Sequence, residues 1–250
     1  MKKRIRQCFS KAAASYSDAA AVQRDVAARC AALCPCGRYD NVLDIGSGVG
    51  FLHGELEQRI EFVKYISLDL VHPMLLEQRK VNKALLVTAD GENLPLRDGT
   101  FDLLASSSAM QWYSDPQKSI PESFKVLKHG GKFSIAVFIK GTLGELADVS
   151  LKTGFGSVKE LKDGAFYKDI FSNISGLSVD FVLEKHEVYF SSVKDFLRKH
   201  KMTGAVASSG SISWGKEKYL RFVEEYEKLY RGDAGIRATY EVLLAYGEKS

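Results

Sequence analysis

Val42-Leu43-Asp44-Ile45-Gly46-Ser47-Gly48-Val49-Gly50 carries an apolar run into an acid and then straight into a glycine-rich turn. A helical pattern starts at once, with Leu52, Leu56 and Ile60 at helical spacing. A strand that feeds such a turn and then a helix is how a nucleotide-binding loop begins. Glycine at 46 and 48 lets the backbone turn sharply and approach a ligand with no Cβ in between. The spacing is Gly-x-Gly-x-Gly, and Phe51 stands where a dinucleotide Gly-x-Gly-x-x-Gly loop has its third glycine.

Outward from this loop the pattern repeats. A strand from Val63 to Leu68 ends in Asp69, and one from Ala84 to Thr88 leads into Asp90-Gly91-Glu92. Phe101 to Ser108 reads as a fourth strand, followed by Gln111-Trp112. Lys125 to Lys132 reads as a helix end with a glycine turn, and Phe133 to Ile139 as the fifth strand. Residues 141–176 are rich in glycine and serine among short helical pieces, and Val179 to Phe190 reads as a strand. A charged helix from Ser191 to His200 precedes a small-residue loop running to Ser213. Lys216 to Tyr230 is a helix with Leu220, Val223, Tyr226 and Tyr230 on one face, and Arg237 to Tyr246 is the final strand. Upstream, residues 3–36 read as helix, with Val22, Val26, Cys30 and Leu33 on one face and Asp18 as N-cap.

Strands alternating with helices predict an α/β fold, a doubly wound and mostly parallel seven-stranded sheet. One domain spans 1–250, with an N-terminal helical cap over 1–36 and a helical lid at 191–235 inserted before the last strand. Open α/β sheets bind ligands beyond the carboxyl ends of their strands. Asp44, Asp69, Asp90 and Ser107 all stand at such ends. Asp69 can take two hydrogen bonds from a ribose diol or cap the helix from Pro73. Met74 can pack on a flat ring or sit in the core.

With 250 residues, 45% of them hydrophobic and 26% charged, the chain can bury one sizeable core. A net charge of +4 does not call for nucleic acid. Cys8, Cys30, Cys34 and Cys36 crowd the first 36 residues without a second matched pair, so reduced thiols are expected and no metal. No apolar run reaches membrane-spanning length, and Met1-Lys2-Lys3-Arg4-Ile5-Arg6 lacks the apolar core of a signal peptide. A cytoplasmic protein is expected.

Asp-x-Gly-x-Gly at the end of the first strand resembles motif I of class I S-adenosylmethionine methyltransferases. A more specific likeness lies outside that motif. Phe9-Ser10-Lys11-Ala12-Ala13-Ala14-Ser15-Tyr16 with Gln23, then Gln111-Trp112, Gly141 to Leu146, Leu197 to Ala205 and Thr239 to Val242 resemble the malonyl-[acyl-carrier protein] O-methyltransferases of early biotin synthesis. Ser107-Ser108 replaces a common Asn-Leu pair, and His200-Lys201-Met202 a more apolar run. The resemblance implies S-adenosylmethionine as methyl donor, leaving as S-adenosylhomocysteine. Its site would comprise Gln23, Asp44, Gly46, Ser47 and Gly48, then Asp69, Leu70 and Met74, then Asp90, Gly91, Glu92, Ser107 and Gln111. The acceptor would be the free carboxylate of malonyl-acyl-carrier protein, oriented by Tyr16, Arg198 and Trp112 with no general base. The acidic carrier would dock on the basic cap around Arg198, Lys199 and Lys201, with Lys216 and Lys218 nearby. From the residues alone, Arg198 is equally a solvated cap cation, and the Tyr16 prefix can simply pad the sheet. The competing readings are a methyltransferase for a quinone, a lipid or another small molecule, a non-catalytic S-adenosylmethionine-binding module, and, against the glycine spacing, a NAD oxidoreductase.

Overall fold

In the computed structural model, which describes residues 1–156, 158–205 and 215–250, the strand that opens the glycine turn is buried on both faces. Val42, Leu43, Asp44 and Ile45 are all shielded from water, as the centre of a parallel sheet requires. In chain order the elements are α1 (Lys2–Ala19), α2 (Ala21–Ala32), β1 (Arg38–Ile45), α3 (Phe51–Glu57), β2 (Glu61–Asp69), α4 (His72–Gln78), β3 (Leu85–Thr88) and β4 (Phe101–Ser107). Then come α5 (Pro116–Ser123), β5 (Leu127–Phe138), α6 (Gly144–Thr153), α7 (Gly164–Ser172), β6 (Leu177–Phe190), α8 (Val193–Met202), α9 (Lys216–Tyr230), β7 (Arg231–Gly232) and β8 (Gly235–Lys249).

The strand order is β3-β2-β1-β4-β5-β8-β6, with the two-residue β7 paired to β8. Pairs among β1 to β5 are parallel, and Leu43 lies between Ile66 of β2 and Leu104 of β4. β8 runs antiparallel to both β5 and β6. The chain leaves β1 to one side for β2 and returns on the other for β4. That reversal is the switch point at which open α/β sheets form a crevice. One face of the sheet is covered by α2, α3, α6, α8 and α9, and the other by α5 and α7. A third cluster, Ala13, Val49, Val71 and Met74, fastens α1 over the glycine turn and α4.

Several details differ from the sequence reading. The N-terminal helix breaks at Ala20 (φ −94°, ψ 47°), and Asp18 lies inside α1, so it caps nothing. The break lets α2 pack on β4 and β5 while α1 leaves the sheet and reaches α4 and α8. Of Lys125 to Lys132, expected to end a helix, only Lys125 and Val126 are helical, in the short turn Phe124–Val126, and the rest is strand. α5 stops at Ser123, Leu127 already pairs with Phe101, and an irregularity in the register absorbs the glycines within β5. α9 buries Phe222 and Tyr226, whereas Leu220 is 55% exposed, because the ring contacts with Phe155 and Phe196 set its facing. The small-residue loop up to Ser213 falls largely on 206–213, outside the described residues. Among the described residues no helix is long and apolar enough to cross a membrane.

The turn itself is built on left-handed backbone. Gly46 has φ +72° and donates to the Leu68 carbonyl at 2.7 Å, and a Cβ there would lie 2.2 Å from that of Ala109. Gly48 has φ +56° with open space where its Cβ would be. Gly46→Ala therefore combines strain with a steric clash, a loss of about 2–5 kcal/mol. Gly48→Ala carries the strain alone, about 1–2 kcal/mol. Thermal denaturation should rank the two in that order, and equal melting temperatures would contradict the packing argument.

Candidate active site

The carboxyl ends of β1, β2 and β4 open into a cavity of about 1000 Å³, counting the solvent at its mouth, which α1 crosses. Asp44, Gly46, Ser47 and Gly48 line it from the end of β1. Asp69, Leu70 and Met74 come from β2 and the start of α4, and Asp90, Gly91 and Glu92 from the loop after β3. Ser107 borders it from β4, Gln23 from α2, and Tyr16 and Trp112 complete the wall. Two expected residues stand elsewhere. Gln111 turns its side-chain amide back to the Ser108 carbonyl at 2.6 Å and does not line the cavity. Arg198 donates to Asp195 at 2.7 Å, its side chain is 60% exposed, and it too lies off the cavity wall.

The electrostatics of the wall are acidic and dry. Tyr65 donates to one oxygen of Asp44 at 3.0 Å, while the other oxygen is buried with no partner among the described residues. Burial, opposed by the Tyr65 bond and reinforced by the charge of Asp69, pushes Asp44 up to about 7. Asp69 accepts from the backbone N–H groups of Gly48 at 2.9 Å and Val71 at 2.7 Å, so it clamps the glycine turn to α4. Burial still pushes it up to about 6, against the pull of those two donors. Asp90 and Glu92 share the ammonium of Lys2, at 2.5 and 2.6 Å. Burial opposes the charge of Glu92, but the N–H groups of Asp115 and Ser114 and the Lys2 ammonium hold it down to about 2. Tyr16 has its phenol raised above the ordinary range by burial and by Asp69, so it stays a donor.

Sequence reasoning missed part of the wall. Lys2, Ile5 and Phe9 join the expected Tyr16 in facing the cavity from α1, and their helical spacing was the available signal. Phe9 meets Trp112 edge-on at 5.4 Å. Ser108 also lines the cavity, and its φ of +59° is strain that no sequence pattern announces. Tyr113 holds the Gly91 carbonyl at 3.1 Å and so fixes the loop after β3. Among the described residues no three His, Cys, Asp or Glu side chains gather as a metal site would need.

These residues fit S-adenosylmethionine. An orphaned buried carboxylate oxygen at Asp44 suits the cationic end of that molecule, and the missing Cβ of Gly48 leaves room beside it. Such a ligand favours the ionised acids, which exist only above their pKa values. Affinity should therefore be full above about pH 7 and weaken as pH falls through about 7 and 6, where Asp44 and Asp69 take up protons. Calorimetry from pH 8 to 5.5 measures this. Asp69→Asn should bind more weakly at pH 8 and show a shallower profile, and a flat wild-type profile would refute the assignment.

The methyltransferase domain family matches residues 43–135. The chain is 31% identical to a malonyl-[acyl-carrier protein] O-methyltransferase of Geobacter sulfurreducens, over 99% of each chain. It is also 31% identical to the enzyme of that name from Dechloromonas aromatica, over 99% of this chain and 95% of the relative. Among solved structures, the YcgJ protein of Bacillus subtilis superposes with a TM-score of 0.62 at 15% identity, over 90% of this chain and 99% of that one. A SAM-dependent methyltransferase of Archaeoglobus fulgidus gives 0.51 at 16%, over 91% and 94%. Those two likenesses show the fold, a class I methyltransferase sheet. The full-length identity to the curated relatives shows more, and the chain belongs to the malonyl-[acyl-carrier protein] O-methyltransferase family of S-adenosylmethionine-dependent enzymes.

Proposed function

We propose that this protein transfers the methyl of S-adenosylmethionine to the free carboxylate of malonyl-acyl-carrier protein, giving the methyl ester that primes biotin synthesis. The observation that carries the reading is the full-length match to relatives of that name. The chemistry of the cavity agrees with it. Bound S-adenosylmethionine supplies an electrophilic methyl on a sulfonium. Asp69 would hold the ribose hydroxyls, Asp90 the adenine amino group and Asp44 the cationic end. A carboxylate acceptor is a nucleophile at neutral pH, so no proton has to be removed. The wall accordingly carries no histidine among the described residues. His200 is half-buried, stacked on Phe196 and pushed down to about 4 by burial, and it lies away from the cavity.

The residues of this chain contribute position and dryness. Phe9, Tyr16, Phe51 and Trp112 form an aromatic wall that excludes water from the transfer. Tyr16 and Trp112 orient the acceptor, with the Tyr16 phenol free to donate, since among the described residues its hydroxyl has no partner. Holding both reactants at attack distance supplies much of the acceleration. The carrier docks on α8. Lys194, Arg198, Lys199 and Lys201 stand there against the single carboxylate of Asp195, which pairs with Arg198 and Lys199. α8 abuts α1, where Ser15 donates to the Met202 carbonyl at 3.3 Å, so the docking face adjoins the helix that crosses the cavity.

Radiolabelled S-adenosylmethionine offered with malonyl-, succinyl- and acetyl-carrier protein tests the acceptor. Label on the malonyl form is expected, and none there would overturn the reading. Docking predicts that Lys201→Glu raises KM for the carrier-borne substrate roughly 3- to 10-fold and leaves a short malonyl thioester unaffected. Added salt should likewise weaken only the carrier-borne substrate. Equal responses of the two substrates would remove α8 as the docking face.

A further inference from the structure

A carboxylate that enters beside Trp112 loses its water and needs a cation there. Among the described residues of the cavity wall the only cation is Lys2, and Asp90 and Glu92 already hold it. Arg198 is committed to Asp195 and faces solvent. Lys159 also stands off the cavity wall itself, but it sits against Trp112, which is part of that wall. It belongs to the stretch between α6 and α7, and its Nζ lies 4.6 Å from the centre of the Trp112 indole. The same ammonium donates to the Gln111 carbonyl. Among the described residues no carboxylate pairs with it. An ammonium has three donors, so two remain for a ligand.

A half-buried ammonium without a counter-ion is costly in a folded chain, since burial disfavours the charge. Its position suits a ligand that brings its own negative charge. Trp112 lines the cavity and meets Phe9 edge-on, so the indole that carries Lys159 is also part of the acceptor wall.

We infer that Lys159 is the acceptor-site residue that binds the free carboxylate of the malonyl group, with Trp112 and the Gln111 carbonyl holding its ammonium in place. It selects acids over neutral acyl groups. In the transfer one carboxylate oxygen donates its lone pair to the methyl carbon, and the methyl–sulfur bond breaks with its electrons going to sulfur. No proton moves. The ester product has no charge, so Lys159 holds substrate more tightly than product. Burial alone pushes Lys159 down to about 8, with no contribution from another charged group. The neighbouring Tyr113 turns its hydroxyl to the Gly91 carbonyl, Glu160 is exposed, and Lys162 lies over Phe166.

The inference rests on the carboxylate-acceptor reading, and one experiment separates the two. Methyl transfer to a short malonyl thioester is measured for the wild type, Lys159→Met and Lys159→Arg, with S-adenosylmethionine affinity followed by calorimetry. Lys159→Met should raise KM roughly 10- to 100-fold with donor affinity unchanged, and Lys159→Arg should restore most of the loss. In the wild type kcat/KM should fall as pH rises through about 8, where the ammonium loses its proton, and Lys159→Arg should move that fall upward. No label on the malonyl thioester with the wild type overturns the acceptor reading and this inference with it. Label with the wild type and an unchanged KM in Lys159→Met overturns the role of Lys159 alone. Should Lys159→Met lose donor binding through misfolding, the wild-type pH profile decides, and no fall near pH 8 refutes the role.

Discussion

A buried carboxylate with no cation beside it governs the ligand-binding end of this sheet. Asp44 is fully shielded from water, and only Tyr65 donates to it among the described residues. Such a group is unfavourable unless something compensates for its lost hydration. The surrounding structure keeps it in place all the same. Ser106 donates to the Ile45 carbonyl at 2.7 Å, and Gly46 and Ser47 both donate to the Leu68 carbonyl, so three adjacent strand ends lock together around the acid. Asp69 then ties Gly48 to the entrance of α4. The turn is rigid before any ligand arrives, which is what close approach of a cationic donor needs.

α1 depends on this rigid floor. Ala13 packs on Val49, Val71 and Met74, while Lys2 at one end of the helix reaches Asp90 and Glu92 and Ser15 at the other reaches α8. One helix therefore touches the acid assigned to the adenine, the aromatic wall and the cap. A ligand donor that takes the Asp90 oxygen held by Lys2 displaces that ammonium, yet Glu92 retains it, so α1 need not leave when the site fills.

The start of the sheet was legible in the sequence because β1 and β2 carry an apolar run to an acid at their ends, and the glycine turn fixes where β1 stops. The acids at 44, 69 and 90 were legible for the same reason, since position at a strand end is a local property. What escaped depends on contacts distant in the chain. Ala20 breaks the N-terminal helix with no capping residue to mark it, and its placement follows from where α1 and α2 pack. The buried face of α9 is set by partners on α8 and in the segment after α6. Lys159 sits in a stretch without periodicity, and it gains its meaning from Gln111 and Trp112, from which α5, β5 and α6 separate it in the chain. Arg198 was expected to orient the acceptor, but Asp195, one turn earlier on the same helix, already uses it.

The charges of the site divide by side. The carboxylates of Asp44, Asp69, Asp90 and Glu92 line the cavity, and the ammonium of Lys159, which no carboxylate among the described residues pairs, stands behind Trp112. A sulfonium and a carboxylate both lose their charge as the methyl moves, so the transition state is less charged than the bound reactants. Groups that grip either ion firmly stabilise the ground state more than the transition state and slow the step. A strong, bidentate guanidinium on the acceptor carboxylate would do that. A single ammonium, held by an indole face, gives the acid one point of attachment, which selects it and resists its neutralisation less. Lysine at 159, with Arg198 paired to Asp195 away from the cavity, follows from the same requirement, that recognition of the acid must not outlast its charge.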